Sequence, residues 1–159
     1  MMDVLLDFAG KGSLGPIHGG MRLQEAARIL GPGSPHPAIR LLGSKADEYP
    51  YPYSWGNLSL DIANGLVTAI RLRLEPGETF AIPDPLKGNS SDSIISRETF
   101  LAALKERNYR YHAYADLTFE KQSAFQIQDT KVVASFFEHQ QSDHIEKQGF
   151  YLTGMYLDS

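Results

Sequence analysis

Asn57-Leu-Ser-Leu-Asp-Ile62, Asn64-Gly65 and Leu66-Val-Thr-Ala-Ile-Arg-Leu-Arg-Leu74 decide the fold class of this chain. In the first run Leu58, Leu60 and Ile62 alternate with polar residues, the period of a strand with one buried face. Asn64-Gly65 tolerates the positive φ angles of a two-residue hairpin turn. The second run resumes the alternation. It predicts Leu66, Thr68, Ile70, Leu72 and Leu74 on one side, with Arg71 and Arg73 pointing the other way. Such a hairpin buries one face only.

Upstream, Leu23, Ala26, Ala27 and Leu30 recur at helical spacing, so residues 21–30 read as a helix closed by Gly31-Pro32. Residues 31–37 then form a rigid, turn-rich loop. Downstream, residues 76–95 carry Pro76-Gly77, Pro83-Asp-Pro85 and a Ser-rich run, the composition of a connecting segment. Ser96 is placed to cap a second helix, with Glu98 near its positive end and Phe100, Leu101 and Leu104 on its apolar face. Asn108 suits its left-handed end. Strands are then expected at 110–119, 123–128, 132–138 and 150–157, separated by the polar stretch 139–148.

Each half thus repeats a plan of helix, polar or turn-rich segment, and antiparallel sheet. The expected fold is α+β: two helix-plus-antiparallel-sheet units in one compact body, 1–75 and 96–159, joined by 76–95. The likeness between the halves is one of plan.

The chain has 159 residues, 42% of them hydrophobic and 21% charged, a globular composition. Its net charge of −4, with no basic cluster, disfavours nucleic acid and anionic membrane surfaces. No apolar run approaches membrane-spanning length. Asp3 and Asp7 stand where a signal peptide needs positive charge, so a soluble, cytoplasmic protein is expected. With no cysteine, thiol chemistry, disulfides and thiolate-bound metals are ruled out.

The motifs that would declare an enzyme are weak. Gly10-Lys-Gly-Ser-Leu-Gly15 follows the apolar stretch Val4-Leu-Leu-Asp-Phe8 and matches a dinucleotide pattern, but Pro16 and Gly19-Gly20 intervene before a helix starts. No P-loop is present. His139, Asp143 and His144 offer metal-ligand chemistry within 139–144, yet a strand-to-strand loop fixes no geometry and supplies no spaced third ligand. His18, His36 and His112 flank no nucleophile motif. Neither a catalytic residue set nor a cofactor emerges, and the balance favours a non-catalytic chain.

Tyr49-Pro-Tyr-Pro-Tyr-Ser-Trp-Gly56 is the most distinctive stretch. In an extended chain Tyr49, Tyr51, Tyr53 and Trp55 project to one side. The two prolines place the segment at a sheet edge or in a loop. Tyrosine and tryptophan are favoured at protein interfaces, so these four residues are the candidate partner-binding set. Core packing beneath the first helix is the competing role, foremost for Trp55. Residues 131–159 add an excess of acidic over basic groups, which would steer a basic partner such as a nucleic-acid-degrading toxin.

The run 14–31, with its Gly-Met helix start and Leu-Gly helix end, followed by Trp55-Gly-Asn-Leu-Ser-Leu60 and Asn64-Gly-Leu-Val-Thr-Ala-Ile70, resembles small actinobacterial proteins of the immunity type. The plan is also similar to that of the β-lactamase inhibitory protein and of outer-membrane assembly lipoproteins. The likeness covers residues 12–74. Residues 96–159 match the plan without a motif, and the lipoprotein cysteine is missing. What the resemblance implies is a non-catalytic, protein-binding role, an analogy at the level of fold.

The expected function is therefore a protein-binding module that occludes a toxin or enzyme with a sheet face or loops, anchored by Tyr49, Tyr51 and Tyr53. Replacing these three by alanine should weaken binding and leave the fold intact. The alternative is a small-ligand-binding or hydrolytic domain with His112, His139 or His144 in a pocket between helix and sheet. A homodimer through an exposed sheet edge is the third arrangement.

Overall fold

The computed structural model describes residues 1–158. Helices form at α1 Met2–Lys11, α2 Leu23–Leu30, α3 Pro37–Leu42 and α4 Arg97–Glu106. Strands form at β1 Ser34–Pro35, β2 Tyr51–Trp55, β3 Leu58–Ala63, β4 Leu66–Arg73, β5 Tyr111–Ala113, β6 Gln122–Ile127, β7 Val133–His139 and β8 Gly149–Asp158. All eight join one antiparallel sheet in the order β1-β2-β3-β4-β8-β7-β6-β5. The fold is α+β. The order is palindromic in connectivity: each end strand precedes its own three-stranded meander, and the last strands of the two meanders meet in the middle.

The deciding hairpin forms as its sequence dictates. Asn64 and Gly65 both hold positive φ, 52° and 73°, which is the turn that matches strand twist. One expectation fails within it. Asp61 pairs with Ala69 but Ile62 pairs with Val67, so Thr68 is the extra residue of a β-bulge. The bulge reverses the alternation at the start of β4. Val67 turns inward, 2% exposed, whereas Leu66 is 41% exposed and Thr68 is half-buried. A second bulge follows in β8: Ser135 pairs with Gly154 and Phe136 with Leu152, leaving Thr153 unpaired.

Helices α1, α2 and α4 cover one face of the sheet. Leu5, Phe8, Ala26, Leu30, Phe100 and Leu104 join Leu58, Leu60, Ile70, Leu72, Phe136, Leu152 and Met155 in a single hydrophobic cluster. Residues 76–95 are more than a connection, because Phe80, Ile82, Leu86 and Ile95 are buried in that cluster. Ser96 caps α4 by accepting the Thr99 N–H at 3.2 Å, and Asn108 takes a positive φ of 60° just beyond the helix.

Two helices depart from the sequence reading. The apolar stretch 4–8 lies in α1, with Asp3 in its first turn, Lys11 in its last and left-handed Gly12 at its end. Helix α3 begins at Pro37, the last residue of the expected loop. The strand expected over 110–119 shrinks to β5. After Tyr114 the chain makes a 3-10 turn at Ala115–Leu117, closed by the Thr118 hydroxyl donating to the Tyr114 carbonyl at 2.9 Å. Among the described residues no helix is long and apolar enough to cross a membrane.

Candidate functional site

Strand alternation sends the residues between the core positions to the opposite face, which α1, α2 and α4 leave open. Across β3, β4, β8 and β7 these are Ser59 and Asp61, Arg71 and Arg73, Gly154 and Tyr156, and Ser135 and Phe137. The pairing of β4 with β8 brings the two halves of the sequence together here, setting Arg71 against Tyr156 and Arg73 against Gly154. A cleft of about 410 Å³ lies along this seam. Its floor is low because Ser59, Ser135 and Gly154 are small, while Arg71, Arg73 and Tyr156 rise around it.

Ion pairs fix the walls. Arg71 donates from Nε to Asp61 at 2.9 Å and from Nη2 to Asp158 at 3.2 Å, and its guanidinium lies 5.5 Å from the Tyr156 ring centre. Asp61 is only 8% exposed, so Arg71 satisfies a carboxylate that water barely reaches. Arg73 reaches Glu75 at 3.4 Å. Burial pushes the Tyr156 phenol above 10.0; Tyr114, Asp158 and Asp116 push the same way, and Arg71 opposes them. The phenol is therefore neutral at neutral pH. Beyond Arg73, a neighbouring depression is lined by Ser135, Phe137, His139 and Thr153. Phe137 is 43% exposed there.

The four residues of the candidate partner-binding set fall elsewhere. In β2, Tyr53 and Trp55 pair with Leu60 and Leu58 and turn to the helix-covered side. Trp55 is buried in the core and donates its indole N–H to the Gly31 carbonyl at 2.9 Å. Tyr53 packs against the same cluster, half-buried. Tyr51 stacks on His36 with ring centres 5.7 Å apart, and exposed Tyr49 leans on Tyr51 at 6.3 Å. Only Tyr49 presents most of its ring to solvent.

The histidines are not brought together around the cleft. His112 is exposed on edge strand β5, and His144 packs beside Gly77. His139 sits edge-on to Tyr151 at 6.1 Å, and its Nε2 is buried without a hydrogen-bond partner. Among the described residues no group of three or more His, Cys, Asp or Glu is arranged to hold a metal ion. Sequence reasoning missed Ser135, Gly154 and Tyr156 as neighbours of Arg71. The only signal was the pair Arg71 and Arg73 pointing away from the apolar side of their strand.

What fold and site define is an α+β chain with a helix-free sheet face, built around a cleft walled by Arg–carboxylate pairs. No protein-family model, curated protein or solved structure matches it.

Proposed function

We propose that this chain is a non-catalytic, cytoplasmic protein-binding module that lays its helix-free sheet face against a partner protein and occludes it, in the manner of an immunity protein. The observation that carries the reading is the composition and rigidity of that face. Arginine and tyrosine dominate the energetics of protein interfaces because they combine large contact area with directed hydrogen bonds. Here Arg71 and Tyr156 stand side by side on two paired central strands, with Arg71 held by Asp61 and Asp158. A site built on strands is pre-organised, so little ordering entropy is lost on docking. The palindromic strand order supports the division into units 1–75 and 96–159, with the face formed where the two meet.

The ligand-binding alternative has one observation in its favour, the unpartnered Nε2 of His139 beside the second depression. That nitrogen is itself buried, and the depression beside it is also lined by Glu75, Glu138 and Ser135.

The test is affinity capture with the tagged chain, its Ser135→Tyr variant and a Tyr49→Ala/Tyr51→Ala variant, compared at equal stability. Tyrosine at 135 fills the cleft. A stoichiometric partner held by the wild type and the tyrosine-deleted variant, and lost by Ser135→Tyr, is the expected result. Retention by Ser135→Tyr together with loss in the other variant would move the interface to the β2 edge.

A further inference from the structure

We infer that the outer edge of β5 pairs with the same edge of a second copy of this chain, antiparallel and two-fold about His112, giving a weak homodimer. The inference goes beyond the protein-binding reading and does not depend on what the helix-free face binds.

The two ends of the sheet differ in what they offer. At the β5 end the Gln128 N–H donates to the Arg110 carbonyl at 2.9 Å, and the Tyr114 N–H to the Ala124 carbonyl at 2.8 Å. Bonded and unbonded pairs alternate along an antiparallel ladder. Arg110, His112 and Tyr114 therefore turn their backbone groups toward β6, and Tyr111 and Ala113 turn theirs outward. At the β1 end the His36 N–H donates to the Pro52 carbonyl at 2.9 Å, so by the same alternation Pro35 faces outward. Proline has no N–H to give. The β1 edge is thus blunted, whereas both outward residues of β5 offer a donor and an acceptor.

The β5 edge is complementary to itself. With a two-fold axis at His112, Tyr111 of each copy stands opposite Ala113 of the other, and every outward donor meets an acceptor. A register that sets Tyr111 opposite Tyr111 leaves the groups of Ala113 unpaired. The favoured register also places the small, exposed Ala113 against the Tyr111 ring, and Arg110 against Tyr114 on the other side of the sheet.

Charge agrees with this direction. Residues 105–110 hold Lys105, Glu106, Arg107 and Arg110, a balance of +2, and residues 114–120 hold Asp116 and Glu120, a balance of −2. Antiparallel pairing lays the basic run of one copy along the acidic run of the other. Arg107 is engaged by Asp3 and Asp7, and Arg110 has an exposed 3.4 Å contact with Asp129. Among the described residues Lys105, Asp116 and Glu120 form no ion pair, and all three are exposed.

Such an axis runs perpendicular to the sheet, so the two helix-free faces look the same way and the dimer presents two clefts side by side. A seam of about five residues a side is far smaller than a permanent dimer interface, so the Kd is on the order of 0.1 mM.

The experiment uses the full chain. Sedimentation equilibrium over a range of concentrations up to about 1 mM should show a monomer–dimer equilibrium. Ala113→Pro removes an outward donor and leaves the bonds to β6 in place, so it should abolish the dimer without unfolding the chain. Because the chain has no cysteine, His112→Cys introduces a single thiol. An unbonded facing pair has Cα atoms about 4.5 Å apart, within reach of a disulfide. His112→Cys should therefore oxidise to a covalent dimer about tenfold faster than Ala113→Cys, whose thiols point to the other side of the sheet out of register.

A chain that stays monomeric throughout, a dimer that survives in folded Ala113→Pro, or equal oxidation rates for the two cysteine variants would overturn the inference. The cysteine comparison decides the matter even where the proline variant does not fold. None of these outcomes touches the protein-binding reading, which is judged by partner capture with Ser135→Tyr.

Discussion

Thr68 and Thr153 are the extra residues of two β-bulges, and each donates its hydroxyl to a carbonyl on the strand opposite: Thr68 to Asp61 at 3.1 Å, Thr153 to Ser135 at 3.3 Å. The acceptors are both residues of the helix-free face. A bulge bends its strand and increases the local twist, so these two threonines shape the surface that the cleft occupies. Thr68→Val and Thr153→Val keep the branched shape and remove the bond. Each should lose about 0.5–1.5 kcal/mol in urea unfolding, the net worth of one such hydrogen bond. An unchanged midpoint would mean that water replaces the carbonyl's partner without loss.

Arg71 is expected to matter for stability as well as binding. Replacing it by methionine leaves Asp61, 8% exposed, without its 2.9 Å partner. The loss should be about 1–3 kcal/mol, because a poorly hydrated carboxylate is left uncompensated. Asp61→Asn in the Arg71→Met background should recover part of it, since a neutral amide is easier to bury than a charge. A double-mutant cycle by denaturant titration reads both numbers.

Gly56 sits in the turn between β2 and β3 with φ of 60°. A Cβ at this position would lie 2.4 Å from the Ala81 carbonyl oxygen, a backbone atom that cannot swing aside. Gly56→Ala therefore suffers twice, from left-handed backbone strain and from steric overlap. A loss of about 2–4 kcal/mol is expected, visible as a lower Tm.

Acid sensitivity should come in part from Asp7 on α1. Its carboxyl is held below 3.8 chiefly by the hydrogen bond from Lys11 at 3.0 Å; Arg107, 2.9 Å away, adds to this, while burial opposes it. A depressed folded-state pKa stabilises the protein above the unfolded value, and that stability disappears as pH falls through the folded one. Asp7→Asn should thus unfold more easily than wild type at about pH 7 and match it at about pH 2, where both side chains are uncharged. A difference that persists undiminished in acid would assign the effect to packing.

Much of the sheet is legible in the sequence because alternation is a local property. Leu58, Leu60 and Ile62, the Asn64-Gly65 turn and the Ser96 cap each need only their neighbours to be recognised. The bulge at Thr68 is not local, since an extra residue exists only relative to its partner strand. Helix α1 was obscured for a similar reason. Its identity is fixed by packing, with Arg107 of the chain's second half bridging Asp3 and Asp7. Alternation also tells which of Tyr51, Tyr53 and Trp55 share a side, but not which side the helices will take. The site was the least legible part. Arg71 and Arg73 could be seen to point away from the core, whereas Ser135, Gly154 and Tyr156 reach them through the pairing of β4 with β8.

The most direct measurement is the Kd of the captured partner for the wild-type chain and for Ser135→Tyr, determined by calorimetry on proteins of equal stability. Filling the cleft floor at the centre of the face should weaken binding by about 30-fold or more, the scale of a lost interface hot spot. Affinities within about twofold of each other would show that the partner does not touch this face, and the proposed mode of binding would be wrong.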